Sequence, residues 1–321
     1  MLADEVKTIA VIGLGTMGPG IAQAFAQAGY YVTGYDVNPR AAETCKKVIS
    51  GIVEILKEFG RISPSEERAS LDNIAYAGSL GQAVQDAHII IEAIPENRDA
   101  KRELYRQIDD SAPEGSLLWS NTSTLNIFDL VPPHRLGHAI IAHWFAPPHI
   151  IPLVEVVRES GVSSETVQTT VDILKKLRKV PIVLKKYLPG FVINRIQRLL
   201  GREIFFLLDN GYIGAEALDL AVKASIAPRM MVLGLVQRYD FTGLDLSASN
   251  LADESFFDPP IDNHPNALHS KIKKGDLGVK TGRGFYDYSG LDITEILKKR
   301  DRHLLKVMDG VQFCLEKGRL V

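Results

Sequence analysis

A doubly wound α/β sheet followed by an all-α C-terminal domain is the fold this sequence predicts. Three observations carry the prediction. A short β-branched run, Thr8–Ile12, leads straight into Gly13-Leu-Gly15-Thr16-Met17-Gly18 and then into a helical stretch. Further short apolar runs alternate with helix-period segments, as buried parallel strands joined by crossover helices do. Beyond a loop at 185–190 the pattern turns mostly helical, with long apolar-periodic stretches over 191–210 and 215–224. The expected domains are therefore residues 1–186 and 187–321.

The opening unit is the most informative. Thr8–Ile12 is too short for a helix and reads as a buried parallel strand. Gly13 makes the tight turn out of it, Gly15 lets backbone approach a pyrophosphate, and Gly18 lets the following helix pack closely. The start of that helix, read over residues 21–28, offers unpaired N–H groups to phosphates, and Pro19 sits where its missing N–H costs little. Gly29 closes the helix, and Tyr31–Tyr35 is a second strand ending at Asp36. A carboxylate about 20 residues past the glycines is placed to accept both ribose hydroxyls and to repel a 2′-phosphate. Strand, glycines, helix, strand and acid in this order make a Rossmann-type dinucleotide unit with a preference for NAD. Arg40, close behind, softens that preference.

The remaining elements follow in order. A helix is expected over 41–59, then a polar connection with Ser63 or Ser65 as N-cap. Strands are expected at 88–93, 117–120 and 139–142, with a helix over 98–108 and a return run at 153–157. Loops follow three of these strands: Ile94-Pro95-Glu96-Asn97, Asn121-Thr122-Ser123-Thr124, and the segment after His143. In open α/β sheets, ligands sit at such carboxyl ends. Asp292-Ile-Thr-Glu295 resembles a capping box and opens a C-terminal packing helix, a candidate for a subunit interface.

Composition narrows the function classes. Hydrophobic residues make up 45% and charged residues 24%, as in ordinary globular proteins. The net charge of −2 gives no basic field for nucleic acid or an anionic membrane. No apolar run approaches the ~18–20 residues that span a bilayer. Two distant cysteines, Cys45 and Cys314, argue against a disulfide framework or a structural zinc site, and no metal is expected. The acidic start lacks the positive charge of a signal peptide, so the expectation is a soluble cytoplasmic protein.

Local sequence leaves the chemistry open. His143 and Glu155 flank a proline-rich loop, and a strand–loop–strand return can bring imidazole and carboxylate together as a base and its orienter. Equally, His143 reads as a half-buried ring satisfied by a carbonyl. Asn121, Thr122 and Ser123 read as a polar turn or as groups facing nicotinamide and substrate. Asn194 reads as a buried amide or as a donor to a substrate oxygen.

Together these motifs resemble the L-3-hydroxyacyl-CoA dehydrogenase family along nearly the whole chain. The residues that carry the resemblance are the glycine loop, Pro95-Glu96-Asn97 with Lys101, Ser120–Ser123, His143 with Glu155, Pro189–Arg195, Gly243-Leu-Asp245 and Lys280–Tyr286. The resemblance implies NAD as cofactor and a CH–OH donor as substrate, with a place in fatty acid metabolism. It makes His143 the base in oxidation and the acid in reduction, oriented by Glu155, and gives Ser123 and Asn194 the reacting oxygen or a neighbouring carbonyl. Glu96 and Lys101 would meet the nicotinamide ribose, Asn121 the cofactor, and the loop with Asp36 the pyrophosphate and adenosine. It also implies a homodimer formed by the helical domain. Three departures bear on the substrate. Ala146 stands where the family usually has Asn, and Ile226-Ala-Pro-Arg229 replaces a glycine- and proline-rich segment. Finally, His149–Glu155 resembles branches acting on hydroxy acids without CoA, such as gulonate and carnitine dehydrogenases, and the segments Gly15–Gly20 and Pro147–Pro152 resemble a relative that oxidises a pyridine carboxylate, a hydroxymethyl- or aldehyde-type substrate. Lys46 and Lys47 are candidates for a CoA phosphate, and Arg229 for a free substrate carboxylate. A non-catalytic, crystallin-like NAD-binding protein is the remaining alternative.

Overall fold

Five residues, Thr8–Ile12, form the central strand β1, and the sheet grows from it in both directions. The computed structural model describes residues 2–317; Met1 and residues 318–321, at the outer ends of the two expected domains, lie outside them. Within the first unit, which ends at Asn194, the strands are β2 (Tyr31–Tyr35), β3 (Ile74–Tyr76), β4 (Ile89–Glu92), β5 (Leu117–Ser120), β6 (Ala139–Trp144), β7 (Leu153–Val157) and β8 (Val180–Leu184). Their order across the sheet is β3-β2-β1-β4-β5-β6-β7-β8. Neighbours are parallel except β6 and β7, which run antiparallel. The chain leaves β1 toward β2 and returns to β4 on its other side, so the order reverses between β1 and β4, where such sheets open a crevice.

The helices are α1 (Gly18–Gln27), α2 (Ala41–Glu58), α3 (Pro64–Asp72), α4 (Leu80–Val84), α5 (Arg98–Asp109) and α6 (Ser164–Lys176). Alternate residues of each strand point to opposite faces, and two cores result. Ile9, Val11, Trp119 and Trp144 pack with Phe25, Ile49 and Ile173 on one side; Ala10, Ile12, Ile90 and Ile141 pack with Val84, Tyr105 and Ile108 on the other. Ser63 is the N-cap of α3, in a capping box with Glu66.

Several expectations shift. Helix α1 begins at Gly18 rather than Ile21, and Pro19 lies in its first turn. Strand β6 runs on to Trp144, so His143 is within the strand rather than at its end. Strands β3 and β8 and helices α4 and α6 come in addition to the elements expected.

The second unit begins at Arg195. Most of α7 (Ile193–Asp209) lies in it, followed by α8 (Ala215–Ala221), α9 (Ala227–Leu233), α10 (Gln237–Thr242), α11 (Leu244–Ala252), α12 (Asn266–Lys273) and α13 (Ile293–Lys317). Asp292 starts α13 by accepting the Glu295 N–H at 3.1 Å. Among the described residues of this unit, Leu305 is the one buried aliphatic or aromatic side chain, while Leu251, Phe256 and Ile261 are each at least 75% exposed. No helix in the described residues is long and apolar enough to cross a membrane.

Candidate active site

The carboxyl ends of β1, β4, β5 and β6 lie along one edge of the sheet, because all four strands are parallel and in register from Ile12 through Glu92 and Ser120 to Ile141. Strands are spaced ~4.8 Å apart, so about 15 Å separates the glycine loop from the end of β6. Apart from Lys46 and Lys47 on α2, the candidate groups of this unit arise from that edge or from the segments abutting it.

At β1 the sheet hands the chain to the loop through two bonds: Gly13 N–H donates to Tyr35 O, and Ala93 N–H donates to Ile12 O, both at 2.8 Å. Gly13 has φ of +97°, and a Cβ on it would stand 2.7 Å from Ala93 O. Any side chain would therefore be both strained and in collision with the strand across the crevice. A Cβ on Gly18 would stand 2.1 Å from Gly13 O, so α1 starts directly against the turn. Gly15, by contrast, is exposed with open space where its Cβ would be. Thr16 is exposed, and Met17 caps α1 without a side-chain acceptor for its first N–H groups. Open backbone at Gly15 and uncapped helical N–H groups fit a dinucleotide pyrophosphate. Asp36 accepts the Leu14 N–H on Oδ2 and the Asn38 N–H on Oδ1, each at 2.8 Å, and so also holds the loop in place.

At β4 the site rests on a buried ionic network. Glu92 Oε1 accepts Lys101 Nζ at 2.6 Å and the Ile94 N–H at 2.9 Å. Its Oε2 accepts Tyr105 OH at 2.8 Å and Ser120 Oγ at 2.6 Å. Burial and the Glu92 carboxylate keep the Tyr105 phenol well above its ordinary range. Lys101 is 1% exposed, and its ammonium also stands 3.5 Å from Glu96 Oε2. Glu96 accepts Thr122 Oγ1 at 2.8 Å and the N–H groups of Ser123 at 2.6 Å and Thr124 at 3.0 Å. Burial alone would raise its carboxyl, but these bonds and Lys101 outweigh it and hold the group below the usual carboxylate range. The structure thus places Lys101 beneath Glu96, and Glu96 shapes the Ser123 loop.

At β6 and β7 the antiparallel register sets His143 directly opposite Glu155. His143 Nδ1 lies 3.0 Å from Glu155 Oε2, and the two residues are 4% and 1% exposed. The other carboxylate oxygen accepts the N–H groups of Val192 and Ile193, each at 3.0 Å, at the start of α7. The imidazole packs on the rings of Phe145 and Phe191. Asn121 Oδ1 accepts the Trp144 N–H at 2.9 Å, fixing the strand beside His143. Asn194 Nδ2 donates to Ser123 O at 3.3 Å, which draws the first turn of α7 onto the same loop.

The structure brings Ser123, Asn194, His143, Glu155, Asn121 and Glu96 into one connected region. It leaves Lys46 paired with Glu43 at 3.0 Å on the exposed face of α2, and Arg229 bonded back to Ser225 on its own helix turn. Sequence reasoning missed Glu92, whose signal was a carboxylate inside an otherwise apolar strand run. It also missed Lys179, which donates to Pro148 O at 2.6 Å and Ile151 O at 3.2 Å and so ties down the segment after His143. Burial brings the Lys179 ammonium down to about 8. Gly20 was missed too; a Cβ there would meet Pro148 at 2.5 Å, so α1 packs on that same segment. Among the described residues no cluster of His, Cys, Asp and Glu is arranged to hold a metal.

Comparison with known proteins bears on this geometry. The family model described as 3-hydroxyacyl-CoA dehydrogenase, NAD binding domain, matches residues 8–187, and that of the C-terminal domain matches residues 190–288. The chain is 33% identical over 306 residues to 5-formyl-3-hydroxy-2-methylpyridine 4-carboxylate 5-dehydrogenase of Mesorhizobium japonicum, covering 94% of this chain and 97% of that one. It is 35% identical over 292 residues to a probable 3-hydroxybutyryl-CoA dehydrogenase of Bacillus subtilis, covering 88% and 98%. Among solved structures it is similar to a 5-formyl-3-hydroxy-2-methylpyridine 4-carboxylic acid 5-dehydrogenase described as an NAD+-dependent dismutase. That match has a TM-score of 0.86 and 32% identity, and covers 96% of this chain and 99% of the other.

Proposed function

The chain belongs to the 3-hydroxyacyl-CoA dehydrogenase family, NAD-dependent enzymes acting on CH–OH groups, and from that premise we propose that His143 and Glu155 run proton transfer in its reaction. The observation that supports this reading is the buried pair at 3.0 Å, with Glu155 anchored at both oxygens. Bound NAD supplies the hydride acceptor for the substrate carbon. In the oxidative direction His143 takes the hydroxyl proton through Nε2, while Glu155 fixes the tautomer with the proton on Nδ1 and stabilises the imidazolium that results. Ser123 and Asn194 orient the reacting oxygen. Gly13, Gly15, Thr16, Met17 and Gly18 hold the pyrophosphate, Asp36 the adenosine ribose and Glu96 the nicotinamide ribose. Lys101 acts through Glu96, and Asn121 presents its amide toward the nicotinamide.

We place the substrate among small free carboxylates rather than acyl-CoA thioesters. One observation favours this: Ala146 follows the His-Trp-Phe run in place of the expected Asn. The full-length likeness to an enzyme named for a pyridine carboxylate points the same way. A panel read by NADH formation separates the classes. Free hydroxy acids and aromatic carboxylates bearing an aldehyde should be turned over, the aldehyde as its hydrate, which gives a hydroxyl proton to His143 and hydride to NAD; 3-hydroxybutyryl-CoA should be at least 100-fold poorer in kcat/KM, about 2.7 kcal/mol. A preference for the thioester would contradict the assignment. The first unit then serves as NAD-binding domain and the second as substrate and dimerisation domain. A helical unit with one buried apolar side chain among its described residues and so many exposed ones suits burial against a second copy. A free, buried Cys45 suits a reducing cytoplasm.

A further inference from the structure

The backbone that presents amides to Glu155 is in an unusual conformation. Gly190 has φ of +76° and Phe191 has φ of +51°. Glycine occupies that region freely, whereas a bulky aromatic side chain pays a steric penalty there, so an L residue is held in it only when its surroundings over-determine it. Phe191 is fully buried. Its N–H donates to Leu188 O at 2.8 Å, and its ring lies edge-on to His143, with centroids 5.4 Å apart, and to Tyr187 at 6.1 Å. The next two residues, Val192 and Ile193, are the ones whose N–H groups converge on Glu155 Oε1. The left-handed pair turns the chain immediately before the two amides, of Val192 and of the first α7 residue Ile193, that meet Glu155.

We propose that Phe191 is a positioning residue for proton transfer at His143. Its left-handed backbone aims the Val192 and Ile193 amides at Glu155, and its ring fixes the plane of the imidazole. The proposal rests on the reading of His143 as the base and adds that the base is tuned from the connection into the helical unit. Among the contacts of the imidazole Glu155 is the charged group, while Phe145 and Phe191 are neutral rings. Holding Glu155 with two amides stabilises its charge, so the pair responds directly to how those amides are aimed.

The test compares Phe191→Leu, Phe191→Ala and Phe191→Gly in the full-length enzyme. The first keeps apolar bulk, and the last two lose the ring equally but differ in their tolerance of positive φ. Three readouts are used: the pH profile of kcat, the titration of the His143 ring by nitrogen NMR, and NADH affinity by fluorescence. Phe191→Ala should lower kcat at least 10-fold and shift both the acid limb and the ring titration. Phe191→Gly should lie closer to wild type than Phe191→Ala, and NADH affinity should stay within 2-fold for all three. If Phe191→Leu, the variant most certain to fold, and Phe191→Ala both leave the pH profile and ring titration at their wild-type positions, Phe191 is only a packing residue. His143→Ala, run alongside, separates the two readings. Wild-type turnover in that variant removes the base assignment itself, whereas a loss there with unmoved Phe191 profiles removes only the positioning role.

Discussion

Glu96 shows how one carboxylate links cofactor side and substrate side. It gathers the hydroxyl of Thr122 and the N–H groups of Ser123 and Thr124, and those donors lower it below its unperturbed 4.5 despite burial. A depressed carboxylate contributes stability that is complete above the unfolded value and is lost as pH falls through the folded one. The 121–124 loop should therefore stay ordered at pH 5 and loosen progressively below about 4, the region of unperturbed carboxylates. Hydrogen exchange of the Ser123 and Thr124 amides against pH checks this, and Glu96→Gln should flatten the acid limb. Unchanged protection down to pH 3 in the wild type would count against it. Single residues were legible in the sequence where a motif named them: His143, Glu155 and Glu96 stand in the region the motif order implied. The depth of Lys101 was not legible, because a lysine on a charged helix reads as solvated until Glu92 is seen beneath the loop. Phe191 stood within the Pro189–Arg195 motif, but its left-handed backbone was not legible, since handedness at a non-glycine residue leaves no mark in composition.

At the scale of elements, the glycine loop and α1 are the most constrained pair. Gly18 has no room for a methyl group, with the Gly13 carbonyl 2.1 Å from where Cβ would stand. Gly18→Ala must push α1 away from the turn and misdirect its N–H groups. NADH affinity should fall at least 10-fold, read by fluorescence titration, with the far-UV circular dichroism unchanged; affinity within 2-fold of wild type would show that the close approach is not needed. This unit was legible because glycine, β-branched and helix-period signals coincide there. Helix α6 was not, because it buries Thr166, Thr169 and Thr170 alongside Ile173 and Leu174, and a polar buried face hides a helical period. Strand β8 escaped notice for a related reason. It lies at the sheet edge with Ile182 and Val183 exposed, and Pro181 within it argues against a strand reading although proline is tolerated on edges.

At the scale of the whole molecule, the two units differ in kind. The first has two apolar cores sandwiching its sheet, whereas the second leaves most of its helices without a buried face of their own. The change from strand-length runs to long helical stretches set the expected boundary at 186/187, while the compact units divide at Asn194/Arg195; periodicity alone did not say where those helices find cover. A homodimer that buries them is the expected state, and light scattering on the eluted protein should give twice the 35.4 kDa chain mass; a monomer at micromolar concentration would contradict it. The proposed reaction depends on His143 as the proton-transfer group beside bound NAD. Replacing it with Ala and measuring kcat for NADH formation, together with NAD affinity, tests this most directly. Turnover should fall by about 10²–10⁴-fold with NAD affinity retained; turnover near that of the wild type would contradict it.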